Sequence, residues 1–268
     1  MKKFSSIFFI LVVIVAFIGC GKEENAELSD SNFSPTLIEP SEIFPAEFGM
    51  PILPADNPFT EEGVYLGRML FYDPVLSIDS SVSCASCHKQ EFAFGDPLPL
   101  SVGVFGLKTG RNAPALFNMA YSQKYFWDAR VNRLRDLVFE PIQAHNEMAM
   151  TLSLLEARLE DIPRYKEYFK KAFNHQPNVM DMSLALEQFL LSIISKESKF
   201  NRFFPGNNPS LLTALELRGA FIFNGLVDFD ENNMIDAAKY FAKHHQGFTE
   251  VSKRYASNYF WLGKSLFG

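Results

Sequence analysis

Cys84-Ala85-Ser86-Cys87-His88 places two thiols on one short stretch, with an imidazole directly after the second. Two intervening residues let one turn of backbone present both sulfurs to one edge of a porphyrin, where they add to its two vinyl groups. The His that follows then lies under the iron as proximal ligand. We read the stretch as the attachment site of one covalently bound c-type haem, held by Cys84 and Cys87 and ligated at the metal by His88. The alternatives are a redox or disulfide pair with an incidental His, or half of a zinc site. A structural zinc wants about four protein ligands, and the sequence holds no second Cys pair.

The elements around this stretch read as helices joined by long loops. Thr60 is a candidate N-cap, and Glu61 and Glu62 favour a helix start. Val64, Tyr65, Met69 and Leu70 follow, and Asp73-Pro74 ends the helix. Residues 75–141 carry Gly, Pro and Asn without sustained apolar period, which fits loops and short helices wrapped round a haem. Ser153 and Glu156 read as a capping box ahead of 157–173, with Leu155, Leu159, Ile162, Tyr165, Tyr168, Phe169 and Phe173 on one stripe and Pro163 bending or splitting it. Asp181 is the expected cap of a further helix with Ala185, Leu186, Phe189, Leu190, Ile193 and Ile194 inward. Thr213 and Glu216 form another capping box, leading to Leu217, Ala220, Phe221 and Phe223. No alternating run is long enough for a sheet, and no internal repeat stands out.

The N-terminus reads as an export and lipidation signal. Lys2 and Lys3 precede an apolar run, Ile7 to Ile18, that is too short to span a bilayer and fits a signal-peptide core. It ends in Phe17-Ile18-Gly19-Cys20, which resembles a bacterial lipobox with Cys20 as the lipidated residue. An ordinary signal peptide cleaved nearby is the alternative. Acyl chains on Cys20 would tether a soluble body to a membrane, in the cell envelope of a bacterium and facing the periplasm. Residues 21–32, rich in Glu, Asp and Ser, suit a flexible tether. Of the three cysteines, one then goes to lipid and two to haem, leaving none for a disulfide. The formal net charge of −6 becomes −8 once Lys2 and Lys3 leave with the signal, since 23 basic residues face 31 acidic ones. This balance argues against nucleic acid as a partner. The 28 Phe residues suit an apolar haem crevice or a Phe-rich core.

Several further stretches, taken in order, carry a resemblance. Leu66-Gly67-Arg68-Met69-Leu70-Phe71-Tyr72-Asp73-Pro74 and Val82-Ser83 through His88 are followed by Ser101-Val102-Gly103 and Arg111-Asn112-Ala113-Pro114-Ala115-Leu116. Phe126-Trp127-Asp128-Ala129-Arg130 and Pro141 through Glu147-Met148 come next. Over about Ile52 to Asn224 the chain resembles the bacterial di-haem cytochrome c peroxidase and MauG family. The resemblance implies a mainly α fold: a cytochrome c-like haem domain with long loops, and a truncated second helical domain. The expected division is signal peptide 1–19, lipidated N-terminus and tether 20–50, haem domain 51–175 and second domain 176–268. It implies reduction of hydrogen peroxide with electrons from a small cytochrome or other donor, or oxidation of a protein substrate in the MauG branch. Glu147 matches the family's distal acid–base group, and Trp127 the Trp between two haems, an electron relay. Arg111 and Arg130 either bind haem propionates or anchor loops.

Three places depart from the family pattern. Val104-Phe105-Gly106 follows Ser101-Val102-Gly103 where some members have a distal His, so the distal position is expected to be open. Leu137 stands where a Gln often precedes the distal Glu. After Phe221-Ile222-Phe223-Asn224, Gly225 through Asp230 replaces an expected second Cys-x-x-Cys-His, so a single haem is expected. His244, His245 and Met234 beyond it read as surface residues. That region is expected to reflect a deletion or frameshift in the gene, or to belong to a shortened protein that takes electrons at its single haem edge. The leading reading is a haem peroxidase that works at this haem. The alternatives are a non-catalytic mono-haem electron-transfer lipoprotein and an inactive relic.

Overall fold

The computed structural model describes residues 33–199, 202–203, 211–213, 215–216 and 218–219. Eight α-helices span the described part: α1 (Pro40–Ile43), α2 (Glu61–Tyr72), α3 (Cys84–Cys87), α4 (Leu134–Leu137), α5 (Phe139–Gln143), α6 (Leu152–Glu160), α7 (Pro163–Phe173) and α8 (Val179–Ser192). Short 3₁₀ turns and loops link them. Strand pairing among the described residues is limited to single bridging pairs such as Lys89 with Gly95 and Tyr125 with Val131. The fold is mainly α, as the sequence implied.

Helix α2 starts as expected. The Thr60 side chain accepts the Gly63 N–H at 3.0 Å, and the Thr60 N–H donates to Gln188 Oε1 on α8 at 3.0 Å. The helix ends at Asp73, whose side chain caps the turn that begins with Pro74. Pro163 splits the expected long helix, ending α6 and taking the first position of α7, where its missing N–H costs nothing. Two caps differ from expectation. Helix α6 begins at Leu152 after Thr151, so Ser153 lies inside it. Helix α8 begins at Val179, and Asn178 rather than Asp181 is its cap: Asn178 Oδ1 accepts the Asp181 N–H at 2.9 Å. Both Asn178 and Asp181 have capping side chains, so residue type alone leaves the register open. The Thr213 and Glu216 box forms, with reciprocal bonds of 2.7 and 3.2 Å. Leu217, Ala220, Phe221 and Phe223 lie outside the described residues.

The core sits where α8 crosses α2. Leu66 and Leu70 from α2, Ala185, Leu186 and Leu190 from α8, and Leu155, Leu159, Tyr165 and Phe169 from α6 and α7 are all buried together. Each such Leu contributes about 1.5–3 kcal/mol by leaving water. The two helices touch backbone to backbone at Gly67, where a Cβ would sit 2.0 Å from the Ala185 carbonyl oxygen. Only a glycine permits that approach. Residues on both sides of position 175 therefore share one core.

Beneath this crossing lies a buried polar group. Arg135 meets Glu187 through Nε at 3.0 Å and through its terminal nitrogen at 2.6 Å, and also meets Asp56 at 2.8 Å. Asn57 Nδ2 donates to Glu187 at 2.8 Å. Glu187 is 2% exposed. The network flanks a cavity of about 370 Å³ bordered by Ile52, Leu53, Tyr125 and Leu191.

Candidate functional site

The thiol pair lies on the single turn α3, with Ser83 as cap and His88 closing the helix. Ser83 N–H donates to Ser86 Oγ at 3.0 Å, which fixes the start of the turn. Cys84 and Cys87 are both free and half-buried. Burial, and then Cys87 beside it, pushes the Cys84 thiol up to about 12. Burial raises Cys87 too; the Ser101 side chain beside it opposes this, and the charges of Glu147 and Asp96 add to it. Burial thus favours the protonated thiol at both sulfurs. Among the described residues no cluster of three or more His, Cys, Asp or Glu side chains is arranged for a bare metal ion.

His88 is oriented from below. Its Nδ1 lies 2.9 Å from the Phe94 carbonyl oxygen and 3.1 Å from that of Pro114. A proton on Nδ1 shared between two carbonyls leaves Nε2 with its lone pair, the arrangement of a metal-ligating imidazole. Burial also lowers its pKa and favours the neutral ring, although both carbonyls pull the other way. One tight turn supplies the first carbonyl. Ala93 and Phe94 both adopt left-handed φ, 57° and 58°, and bring the Phe94 carbonyl back beneath His88. Pro114 comes from the Arg111-Asn112-Ala113-Pro114 stretch. Two thiols on one turn and a tautomer-fixed imidazole fit a covalently held haem.

Glu147 lies on the loop after α5, half-buried and near enough to Cys87 for its charge to raise that thiol. Its backbone is locked from the other side. The Val104 N–H donates to the Glu147 carbonyl at 2.8 Å, and the Ile78 N–H to the Met148 carbonyl at 2.9 Å. A Cβ on Gly103 would lie 2.3 Å from the Asn146 oxygen and 2.7 Å from Glu147 Cα. The glycine of Ser101-Val102-Gly103 is therefore what lets this segment lie against the Glu147 backbone. Burial raises the Glu147 pKa above the ordinary carboxylate value; Arg130 lowers it and Glu140 raises it further. Among the described residues the Glu147 carboxyl has no side-chain ion pair within 4 Å.

The remaining candidates form a surface network. Asp128 takes Arg111 at 2.8 Å and Arg130 at 2.9 Å. Arg130 and then Arg111 hold the Asp128 carboxyl down to about 2. Arg130 also pairs with Glu140 and lies 3.7 Å above the Phe126 ring. Both arginines thus anchor the 126–130 loop. Trp127, on the same loop, donates its indole N–H to the Asn112 carbonyl at 2.9 Å and is 37% exposed. Val104 is fully buried, and Phe105 beside it has φ 58° and lies at the surface. Leu137 packs against the core. Cys20, Met234, His244 and His245 lie outside the described residues. Sequence reasoning missed Asp96, whose buried carboxylate accepts Lys89 Nζ at 3.1 Å and Ser101 Oγ at 2.7 Å. Burial opposes ionisation there, but Ser101, the Leu98 N–H and Lys89 outweigh it and hold the carboxyl below its ordinary range. It also missed the carbonyls of Phe94 and Pro114, because backbone groups leave no mark on residue type.

A model of the family described as di-haem cytochrome c peroxidase matches residues 61–209, which hold every element of this site. The chain belongs to that family. It is 35% identical over 174 residues to the methylamine utilization protein MauG of Methylorubrum extorquens, covering 64% of this chain and 49% of that one. It is 36% identical over 158 residues to the cytochrome c551 peroxidase of Pseudomonas aeruginosa, covering 58% and 46%. A crystal structure of a MauG-like protein associated with microbial copper homeostasis matches with a TM-score of 0.60 at 29% identity, over 71% of this chain and 53% of that one. The chain spans about half the length of the curated relatives it matches.

Proposed function

We propose that this chain reduces hydrogen peroxide with electrons from a small cytochrome or similar donor, at one c-type haem held by Cys84, Cys87 and His88. The observation that carries this reading is the Glu147 carboxyl, half-buried, raised in pKa and electrostatically coupled to Cys87. A bound haem would supply the iron at which peroxide is reduced and would pass on the electrons that the donor provides. Glu147 accepts the proton from the first peroxide oxygen and returns it to the second, so that the leaving oxygen departs as water. A carboxyl with a raised pKa serves both halves of that transfer. His88 keeps its Nδ1 proton on the Phe94 carbonyl throughout. Trp127 is the proposed relay for electrons arriving from the donor. Arg111 and Arg130 hold the loop that carries it.

The cofactor assignment is tested by intact mass. The protein expressed in a haem-attaching host should carry one haem increment. Cys84→Ala with Cys87→Ala should carry none, and His88→Ala should keep the increment but lose the native ferric spectrum. Two increments on the wild-type chain, or covalent haem on the double variant, would refute it. We also propose that Cys20 carries acyl chains that anchor the protein in the cell envelope, supported by the apolar run ending at Gly19-Cys20. Cys20→Ala should then move the protein from the membrane to the soluble fraction. A variant that stays with the membrane after signal cleavage would overturn the anchor.

A further inference from the structure

The turn that orients His88 and the loop that carries Glu147 are far apart in sequence, yet one buried carboxylate joins them. The Asp96 side chain is 2% exposed. Its Oδ1 accepts Lys89 Nζ and the Leu98 N–H, both at 3.1 Å, and its Oδ2 accepts Ser101 Oγ at 2.7 Å. Lys89 directly follows His88. The Lys89 N–H donates to the Gly95 carbonyl, and the Phe94 N–H to the Lys89 carbonyl, which closes the turn that sets the Phe94 oxygen under the imidazole. Ser101 opens the segment that holds Glu147. Its own N–H donates to Thr109 Oγ1 at 3.0 Å and its carbonyl accepts the Thr109 N–H at 3.0 Å. Three residues on, the Val104 N–H reaches the Glu147 carbonyl.

The geometry points to Asp96 as a positioning residue that sets the Glu147 loop relative to the His88 turn, acting through Ser101 on one side and Lys89 on the other. Asp96 itself touches neither peroxide nor iron. Ser101 is fully buried, and without Asp96 its hydroxyl is left facing the Cys87 sulfur, a weak acceptor. The segment 101–104 then shifts, and Glu147 shifts with it. Proton transfer depends steeply on such a displacement. The inference rests on the acid–base role proposed for Glu147.

Four haem-loaded proteins decide it: wild type, Asp96→Ala, Glu147→Gln and the double variant, each mixed with hydrogen peroxide in stopped flow. Asp96→Ala should slow the wild-type reaction by about 10–10²-fold. In the Glu147→Gln background the same change should cost less than about twofold, because no proton transfer remains to be misplaced. Equal slowing in both backgrounds would mean general damage and would overturn the inference, as would no slowing in the first. Glu147→Gln alone at the wild-type rate would instead remove the acid–base reading. Positioning has a readout of its own in amide hydrogen exchange of the same holoproteins. Exchange should rise across 101–108 and at 147–148 in Asp96→Ala, and also in Ser101→Ala, which serves if Asp96→Ala fails to load haem. Exchange in α8 should stay unchanged. Unaltered exchange across 101–108 would overturn the inference whatever the rates.

Discussion

Glu147→Gln is expected to slow the reaction with hydrogen peroxide by about 10²–10⁴-fold, the usual worth of a positioned acid–base group. Gln has nearly the shape of Glu, and the Glu147 backbone is held by Val104 and Gly103 rather than by its side chain. Haem loading and the resting spectrum should therefore barely change. The pH profile carries the same signature. Burial raises the Glu147 pKa, so the wild-type rate should fall with acidity through an inflection above the ordinary carboxylate value, as the base becomes protonated. Glu147→Gln should lack that inflection. Stability should move the other way. A raised native pKa means the folded state binds the proton more tightly than the unfolded state, so this group costs stability as pH rises past its unfolded value. Glu147→Gln should thus be slightly more stable than wild type at neutral pH and no more stable in acid. Equal peroxide rates for the two proteins would sink the acid–base assignment.

The largest effect on stability is expected at Glu187. Replacing it with Ala leaves Arg135 buried with only Asp56, whose side chain is largely exposed, as a charged partner. Breaking one side of a buried pair costs about 3–5 kcal/mol. For a protein of this size that lowers the melting temperature by about 10 °C. Glu187→Gln keeps one of the two acceptor oxygens that Asn57 and Arg135 share and should lose less. Arg135→Met with Glu187→Leu removes both charges together and should recover most of the loss. A melting temperature for Glu187→Ala within about 2 °C of wild type would show that the pair contributes little.

Fold class and the proximal half of the site were legible in the sequence for different reasons. Helices α2 and α7 announce themselves through apolar spacing, a Thr cap and a Pro start, all local signals. The thiol pair and His88 are legible because covalent attachment fixes their spacing. The start of α8 was not, because Asn178 and Asp181 are both good caps; in the structure Asn178 takes the Asp181 N–H, while the Asp181 carboxyl turns back to His175 and the Asn178 amide. Gly103 was visible as part of a motif, but its reason, the Glu147 backbone lying against it, is a long-range contact. Asp96 had no signal at all. A single Asp in a loop reads as solvated until the fold buries it between Lys89 and Ser101.

The pairing of α2 with α8 also sets an order of events during synthesis. Thr60 and Gln188 are 128 residues apart, so the helix that completes the core leaves the ribosome last among those described, well after Cys84 and Cys87. Contacts of such separation form late, because a long loop must close first. The crossing of α2 and α8 is thus the last part of the core to form, whatever the order in which the helices between them settle.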